Sequence, residues 1–373
     1  MNKQQTIFSA IQPSGELHIG NYLGALKNFT ELQNKYNCFF FIADYHSITG
    51  DYDPKEKPAQ IFDLALDFLA AGLDPEKCTL AVQSQIPGHT ELAWIFNTVT
   101  PISELQRMTQ FKDKANHQNK NINIGLFDYP VLQAADILIY KACLVPVGQD
   151  QVQHVELTRK IARFFNNKFG KTFPEPKDII TETPKIMSLA DPTKKMSKSH
   201  GAKSYIGIND EPEMIKKKMR KAVTVSNLKE LFDKKIISFG LDGLEKSLQE
   251  EQKKRLKESN AIFLSIDNSA SKEDQFNAYG VVNLYDLLRN FGTKEHKKYF
   301  FNKFKDQNIK FSELKDTLAE DISNYFAPFR KKRKELENNP EYVKKVLEEG
   351  AEKARVIARE TMKEVKEKVG LII

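Results

Sequence analysis

Short, fully apolar runs alternate with segments of helical periodicity over the first half of the chain, and this rhythm sets the expected fold. Thr6-Ile-Phe-Ser-Ala-Ile11 reads as a buried strand stopped by the turn Gln12-Pro13-Ser14-Gly15. Leu23, Leu26, Phe29 and Leu32 then recur at helical spacing, with Gly20 and Asn21 at the start of their helix. Cys38-Phe-Phe-Phe-Ile-Ala43 repeats the strand signal, followed by a helix over 58–71 opened by Pro58 and closed by Gly72. A third strand over 79–83 precedes a helix over 89–98, a further helix spans 129–140, Leu144-Val-Pro-Val147 is a strand, and a helix covers 150–165. Strands that do not alternate, separated by helices, indicate a parallel sheet covered on both faces. Ligands of such sheets bind at the carboxyl ends of the strands, which places the loops at 12–21 and 44–50 on one rim.

From about Glu211 the pattern turns to helical periodicity. The expected organisation is therefore a catalytic α/β domain over 1–210, completed by part of the C-terminal helix, and a helical domain over 211–373. An insertion at about 226–279 has no single reading: helix-like Leu244 to Leu256 stands beside strand-like Ala261 to Ile266. The last segment carries Val343, Val346, Leu347, Ala354, Ile357, Ala358, Met362, Val365 and Val369 on one face of a long amphipathic helix. Gly350 is a candidate break that would divide it in two.

With 373 residues, 40% of them hydrophobic, the chain has material for a sizeable core and about two domains. No apolar run approaches the roughly 18 residues that cross a bilayer, and the expected setting is the cytoplasm, with no membrane partner. Cys38, Cys78 and Cys143 are far apart in apolar segments, which fits neither a zinc pattern nor a disulfide framework. The net charge of +7 is concentrated in clusters at 216–221, 253–255 and 330–334. Such clusters suit a polyanion and equally suit solvated helix faces.

Two segments carry candidate chemistry. Lys194-Lys-Met-Ser-Lys-Ser-His-Gly201 places Lys195 and Lys198 as point charges beside the hydroxyls of Ser197 and Ser199, a combination that suits a polyphosphate. Pro13-Ser-Gly-Glu-Leu-His-Ile-Gly-Asn21 sets His18 where a helix begins, with Gly15 and Gly20 permitting close backbone approach. An imidazole there can donate to a phosphate or stabilise a transferring phosphoryl group.

His18-Ile-Gly-Asn21 and Lys195-Met-Ser-Lys-Ser199 resemble the HIGH and KMSKS signatures of class I aminoacyl-tRNA synthetases. Four longer stretches, 11–26, 129–138, 145–159 and 186–199, are similar to the tryptophanyl-tRNA synthetases of bacteria, over about 6–224 and again from about 280 onward. The resemblance implies a Rossmann-like doubly wound parallel sheet with an α-helical, anticodon-binding C-terminal domain. It implies that Gln12, Pro13, Ser14, Gly20 and Asn21 contact ATP, that Gly148, Gln149, Asp150 and Ile186 surround its ribose and adenine, and that Lys195, Met196, Ser197, Lys198 and Ser199 close over the triphosphate. The implied partners are L-tryptophan, ATP with Mg²⁺ carried on its phosphates, tRNA(Trp) and a second copy of the chain. No other metal is implied.

Specificity has a candidate in Asp136, three residues after Gln133 on an otherwise apolar helix: a buried carboxylate needs donors, and an indole N–H is one. Phe8 and His46 match positions facing the indole in relatives. Gln133 stands where bacterial relatives usually have Met, and Gln149 replaces a usual Glu. Gln133 and Asp136 also suit a tyrosyl-tRNA synthetase, which the flanking motifs disfavour. A noncatalytic RNA-binding or tryptophan-sensing paralogue is the other alternative, set against the retention of both loop lysines.

Overall fold

The computed structural model describes residues 5–108, 123–180, 186–225, 227–239, 264–267 and 269–371. Five parallel strands, β1 (Thr6–Ile11), β2 (Asn37–Ile42), β3 (Cys78–Val82), β4 (Leu144–Val147) and β5 (Lys177–Ile180), form a sheet of order β3-β2-β1-β4-β5. The order reverses between β1 and β4, so their carboxyl ends flank the switch point of a doubly wound sheet. β1 pairs with β2 along its whole length, from Thr6↔Asn37 to Ile11↔Ile42, but its pairing with β4 is confined to Ile7↔Leu144. Beyond that register a cavity opens between the two strands.

The interior strand β2 is buried on both faces through Cys38 to Ile42, which explains why its sequence does not alternate. Phe39, Phe40 and Phe41 are each at most 2% exposed, and each contributes roughly 1.5–3 kcal/mol of burial. Helices Lys57–Ala70, Gly88–Asn97, Ile124–Leu138 and Val152–Phe169 realise the four periodic segments between the strands within a few residues of the expected bounds. The first helix is α-helical over Ile19–Asn21 and Lys27–Leu32, with a π-helical stretch, Tyr22–Leu26, between. The strand Lys177–Ile180 was not expected: Lys-Asp-Ile-Ile has only two apolar residues, and it lies at the sheet edge, where less burial is demanded.

The chain forms two compact units. The first comprises Met1–Leu17, Asn21–Thr183 and Lys331–Ile373; the second comprises His18–Gly20 and Pro184–Arg330. In the second, helices Pro212–Arg220, Leu228–Asp233, Lys272–Phe291 and Lys294–Lys305 accompany an antiparallel pair, Ile237–Phe239 with Leu264–Ile266. That pair accounts for the strand-like end of 261–266, while the helix-like Leu244 to Leu256 and the basic cluster at 253–255 lie outside the described residues.

In the first unit Pro340–Val369 is one continuous helix, so Gly350 does not break it. Gly350 is buried against β3, where a Cβ would fall 1.8 Å from the carbonyl oxygen of Leu80. The glycine is a point of backbone-to-backbone contact. Gly350→Ala is expected to destabilise the protein by about 3 kcal/mol or more, since neither backbone can yield cheaply; an unfolding midpoint equal to that of the unsubstituted chain would contradict this.

Candidate active site

At the carboxyl ends of β1 and β4, a cavity of about 610 Å³ is lined by Ser9 to Gln12 on one side and Val145 to Gly148 on the other. That size is in the range of small-molecule sites. Its inner wall carries Phe8, His46, Tyr129, Gln133 and Asp136, so all four residues expected to surround an indole are brought together. The amphipathic pattern of Ile124–Leu138 explains part of this, because one face meets the core and the other presents Gln133 to the cavity.

Asp136 is 2% exposed and is held by three neighbours. His46 Nε2 lies 2.7 Å from Oδ2, Gln83 Nε2 donates to Oδ1 at 2.7 Å, and His89 Nδ1 lies 2.6 Å from Oδ1. Burial alone would raise the carboxyl pKa, but the electrostatic attraction and hydrogen bonds of His46 and His89 outweigh it and hold the group well below the usual carboxylate range. The carboxylate is therefore ionised. His46 is placed by a short 3₁₀ turn, Tyr45–Ile48, that Asp44 caps through Tyr45 N–H, and Gln83 ties that turn to Asp136 by accepting from the same N–H at 3.2 Å.

Gln83 and His89 were missed in the sequence. They follow β3 as residues 44–50 follow β2, so the strand-end rule applied to the third strand points to them. Tyr140, whose hydroxyl lies 2.7 Å from His89 Nε2, carried the weaker signal of a buried hydroxyl in need of a partner.

In the second unit, His18 and the Lys194–Gly201 loop are drawn together. Isolated bridges His18↔Gly207 and Met187↔Lys195, with Met196 N–H to Ile186 O at 3.0 Å and Ile19 N–H to Ile206 O at 3.0 Å, knit these segments. Met196 is buried and anchors the loop, Ser197 Oγ accepts from Ser199 N–H at 3.3 Å, and Lys194 is spent on an ion pair with Asp191 at 2.9 Å. Burial, then the charges of Lys198 and Lys195, push the His18 pKa down to about 4, so the ring is neutral at neutral pH. Its Nδ1 accepts the Gly20 N–H at 3.1 Å, which leaves the ring hydrogen on Nε2 as a donor. Gly20 is needed for this fold-back, since a Cβ there would lie 3.0 Å from both Cε1 and Nδ1 of His18.

The remaining expected residues are placed as follows. Gln12 and Gly148 line the cavity rim of the first unit, Pro13 offers its carbonyl to Lys57 Nζ at 3.1 Å, and Ser14 is exposed. Gln149 and the backbone of Asp150 form a 3₁₀ turn after β4, and Asn21 is half-buried. Ile186 is buried in the second unit.

Residues 1–327 match the family model described as tRNA synthetases class I (W and Y). The chain belongs to that synthetase family. It is 44% identical over 373 residues to the tryptophan--tRNA ligase of Rickettsia conorii, covering 99% of this chain and all of that one, and 39% identical to that of Helicobacter pylori, covering 100% of both. The fold of this synthetase is similar to a tryptophanyl-tRNA synthetase from Campylobacter jejuni complexed with ADP and tryptophan, with a TM-score of 0.76 and 31% identity over 98% of this chain and 100% of that one. The Mycoplasma pneumoniae tryptophanyl-tRNA synthetase gives a TM-score of 0.75 at 31% identity, covering 98% of each chain. The expected Rossmann-like sheet with C-terminal helices is thus the fold of this synthetase.

Proposed function

We propose that this synthetase is a tryptophan--tRNA ligase, which activates L-tryptophan with ATP to tryptophanyl-adenylate and pyrophosphate and then transfers the aminoacyl group to tRNA(Trp). The observation that carries the amino-acid choice is the ionised Asp136 in the wall of an otherwise largely apolar cavity, able to accept an indole N–H. Phe8, His46 and Gln133 complete the tryptophan site. Gln12, Pro13, Ser14, Gly20, Asn21, Gly148, Gln149, Asp150 and Ile186 contact ATP, whose Mg²⁺ arrives on the phosphates as part of the substrate.

The tryptophan carboxylate oxygen attacks the α-phosphorus while the bond to the pyrophosphate oxygen breaks. Negative charge shifts onto phosphoryl oxygens, which Lys195 and Lys198 attract and which the Nε2–H of neutral His18 can meet without a proton being moved. Met196, Ser197 and Ser199 hold the loop in place. No covalent enzyme intermediate is required, so catalysis is positioning plus charge stabilisation.

Amino-acid-dependent exchange of pyrophosphate into ATP, run with all twenty amino acids, is expected to respond to tryptophan alone. Stimulation by tyrosine would make the chain a tyrosyl enzyme, and no stimulation would make it a noncatalytic paralogue. Basic helices of the second unit, such as Pro212–Arg220, contact the tRNA backbone in this reading. The enzyme works as a cytoplasmic homodimer, for which the exposed Trp94, Ile102 and Ile124 of the first unit are candidate contacts. Among the described residues no helix is long and apolar enough to cross a membrane.

A further inference from the structure

We infer that His89 and Tyr140 are positioning residues for tryptophan selection, forming a buried hydroxyl–imidazole–carboxylate chain that aims Asp136 at the indole N–H. The inference rests on the tryptophan reading of the cavity and adds to it two residues that are not among those lining the cavity.

The chain of hydrogen bonds has one consistent direction. An ionised carboxylate only accepts, so the imidazole nitrogens that face it carry hydrogen: Nε2 of His46 and Nδ1 of His89. In the Nδ1–H tautomer that faces the carboxylate, His89 Nε2 is an acceptor, and the Tyr140 hydroxyl 2.7 Å away donates to it. Burial holds that phenol protonated, far above its ordinary range. Tyr140 thereby fixes which nitrogen of His89 bears the hydrogen, as second partners of histidine commonly do.

The arrangement also leaves one acceptor site open. Oδ1 takes two hydrogen bonds, from Gln83 and His89, whereas Oδ2 takes one, from His46. The second lone pair of Oδ2 remains for a donor in the cavity that Asp136 lines. His89 and Tyr140 are 0% and 3% exposed, so water has little access to replace either one. The Tyr140 ring is stacked on Phe39 at 4.6 Å and on Phe8 at 5.7 Å, with interplanar angles of 15° and 11°, which fixes the hydroxyl. Removing His89 leaves Oδ1 short of a partner and the carboxylate free to turn from the cavity.

The test compares tryptophan with its benzothiophene analogue, in which sulfur replaces the indole N–H, by pyrophosphate exchange on the full-length enzyme. His89→Leu is expected to lower kcat/KM for tryptophan by about 10- to 100-fold, as loss of a hydrogen bond to a charged group does, with most of the loss in KM for tryptophan. The analogue, which has no N–H to place, loses only a few-fold. His89→Asn, whose amide nitrogen replaces Nδ1, restores most of the preference, and Tyr140→Phe gives an intermediate loss. Equal losses for both substrates in every variant would overturn the inference and reduce the two residues to packing. A wild-type enzyme indifferent between the substrates would overturn it too, by sinking the Asp136–indole contact itself. Should His89→Leu fail to fold, Tyr140→Phe removes only a hydroxyl, and an unchanged substrate preference in it is decisive against the proposal.

Discussion

Lys198→Ala is expected to slow adenylate formation by about 100- to 1,000-fold, the scale of losing one preorganised group at a developing oxyanion, while tryptophan affinity stays within about threefold. Lys198 and Lys195 share a loop with two hydroxyls, and both act electrostatically on His18, so the positive charge is already focused where a neutral imidazole donor stands. The tryptophan cavity is lined by neither lysine. Single-turnover pyrophosphate release gives the chemical step, and equilibrium binding of tryptophan gives the ground state. Equal losses in both would remove Lys198 from the transferring phosphate.

The second large effect is expected at Asp136. Asp136→Asn should lower kcat/KM for tryptophan by about 100-fold or more and compress the preference over phenylalanine, which a site built around a substrate N–H sets at about 10⁴ or above. An amide has one oxygen, whereas three donors converge on the carboxylate. If the oxygen keeps Gln83 and His89, the NH₂ takes the place of Oδ2, and the cavity then meets a donor where it had a lone pair. Turned the other way, the NH₂ opposes two donors at once. Competition between tryptophan and phenylalanine in the exchange assay measures the preference. Unchanged selectivity in a folded variant would leave Asp136 as a core-organising group only.

Much of this was legible along the chain, for identifiable reasons. Buried parallel strands such as Asn37–Ile42 declare themselves because both faces need apolar side chains. The edge strand Lys177–Ile180 is under less such pressure and did not. His18 and the Lys195–Ser199 loop were readable because phosphate chemistry demands particular side chains at short spacing. Gln83, His89 and Tyr140 act through another side chain, and their meaning appears only once the fold brings Gln83 and His89, 53 and 47 positions distant in sequence, onto the Asp136 carboxylate and sets Tyr140 against His89. Gly350 gave a misleading signal: a glycine within a helix is as compatible with a break as with a close contact, and only the partner backbone distinguishes them.

That contact at Gly350 ties the order of synthesis to the order of assembly. The helix Pro340–Val369 lies against β3, and its Ala351, Ala354, Ala358, Met362 and Val365 belong to the same core as Phe8, Phe39 and Phe41. The tryptophan cavity is lined entirely by residues at or before position 151, yet the core beneath it stays incomplete until residues beyond 350 have left the ribosome. A nascent chain that stalls or is clipped at 340 would carry every cavity-lining residue and present an apolar sheet face to chaperones and proteases in place of an enzyme.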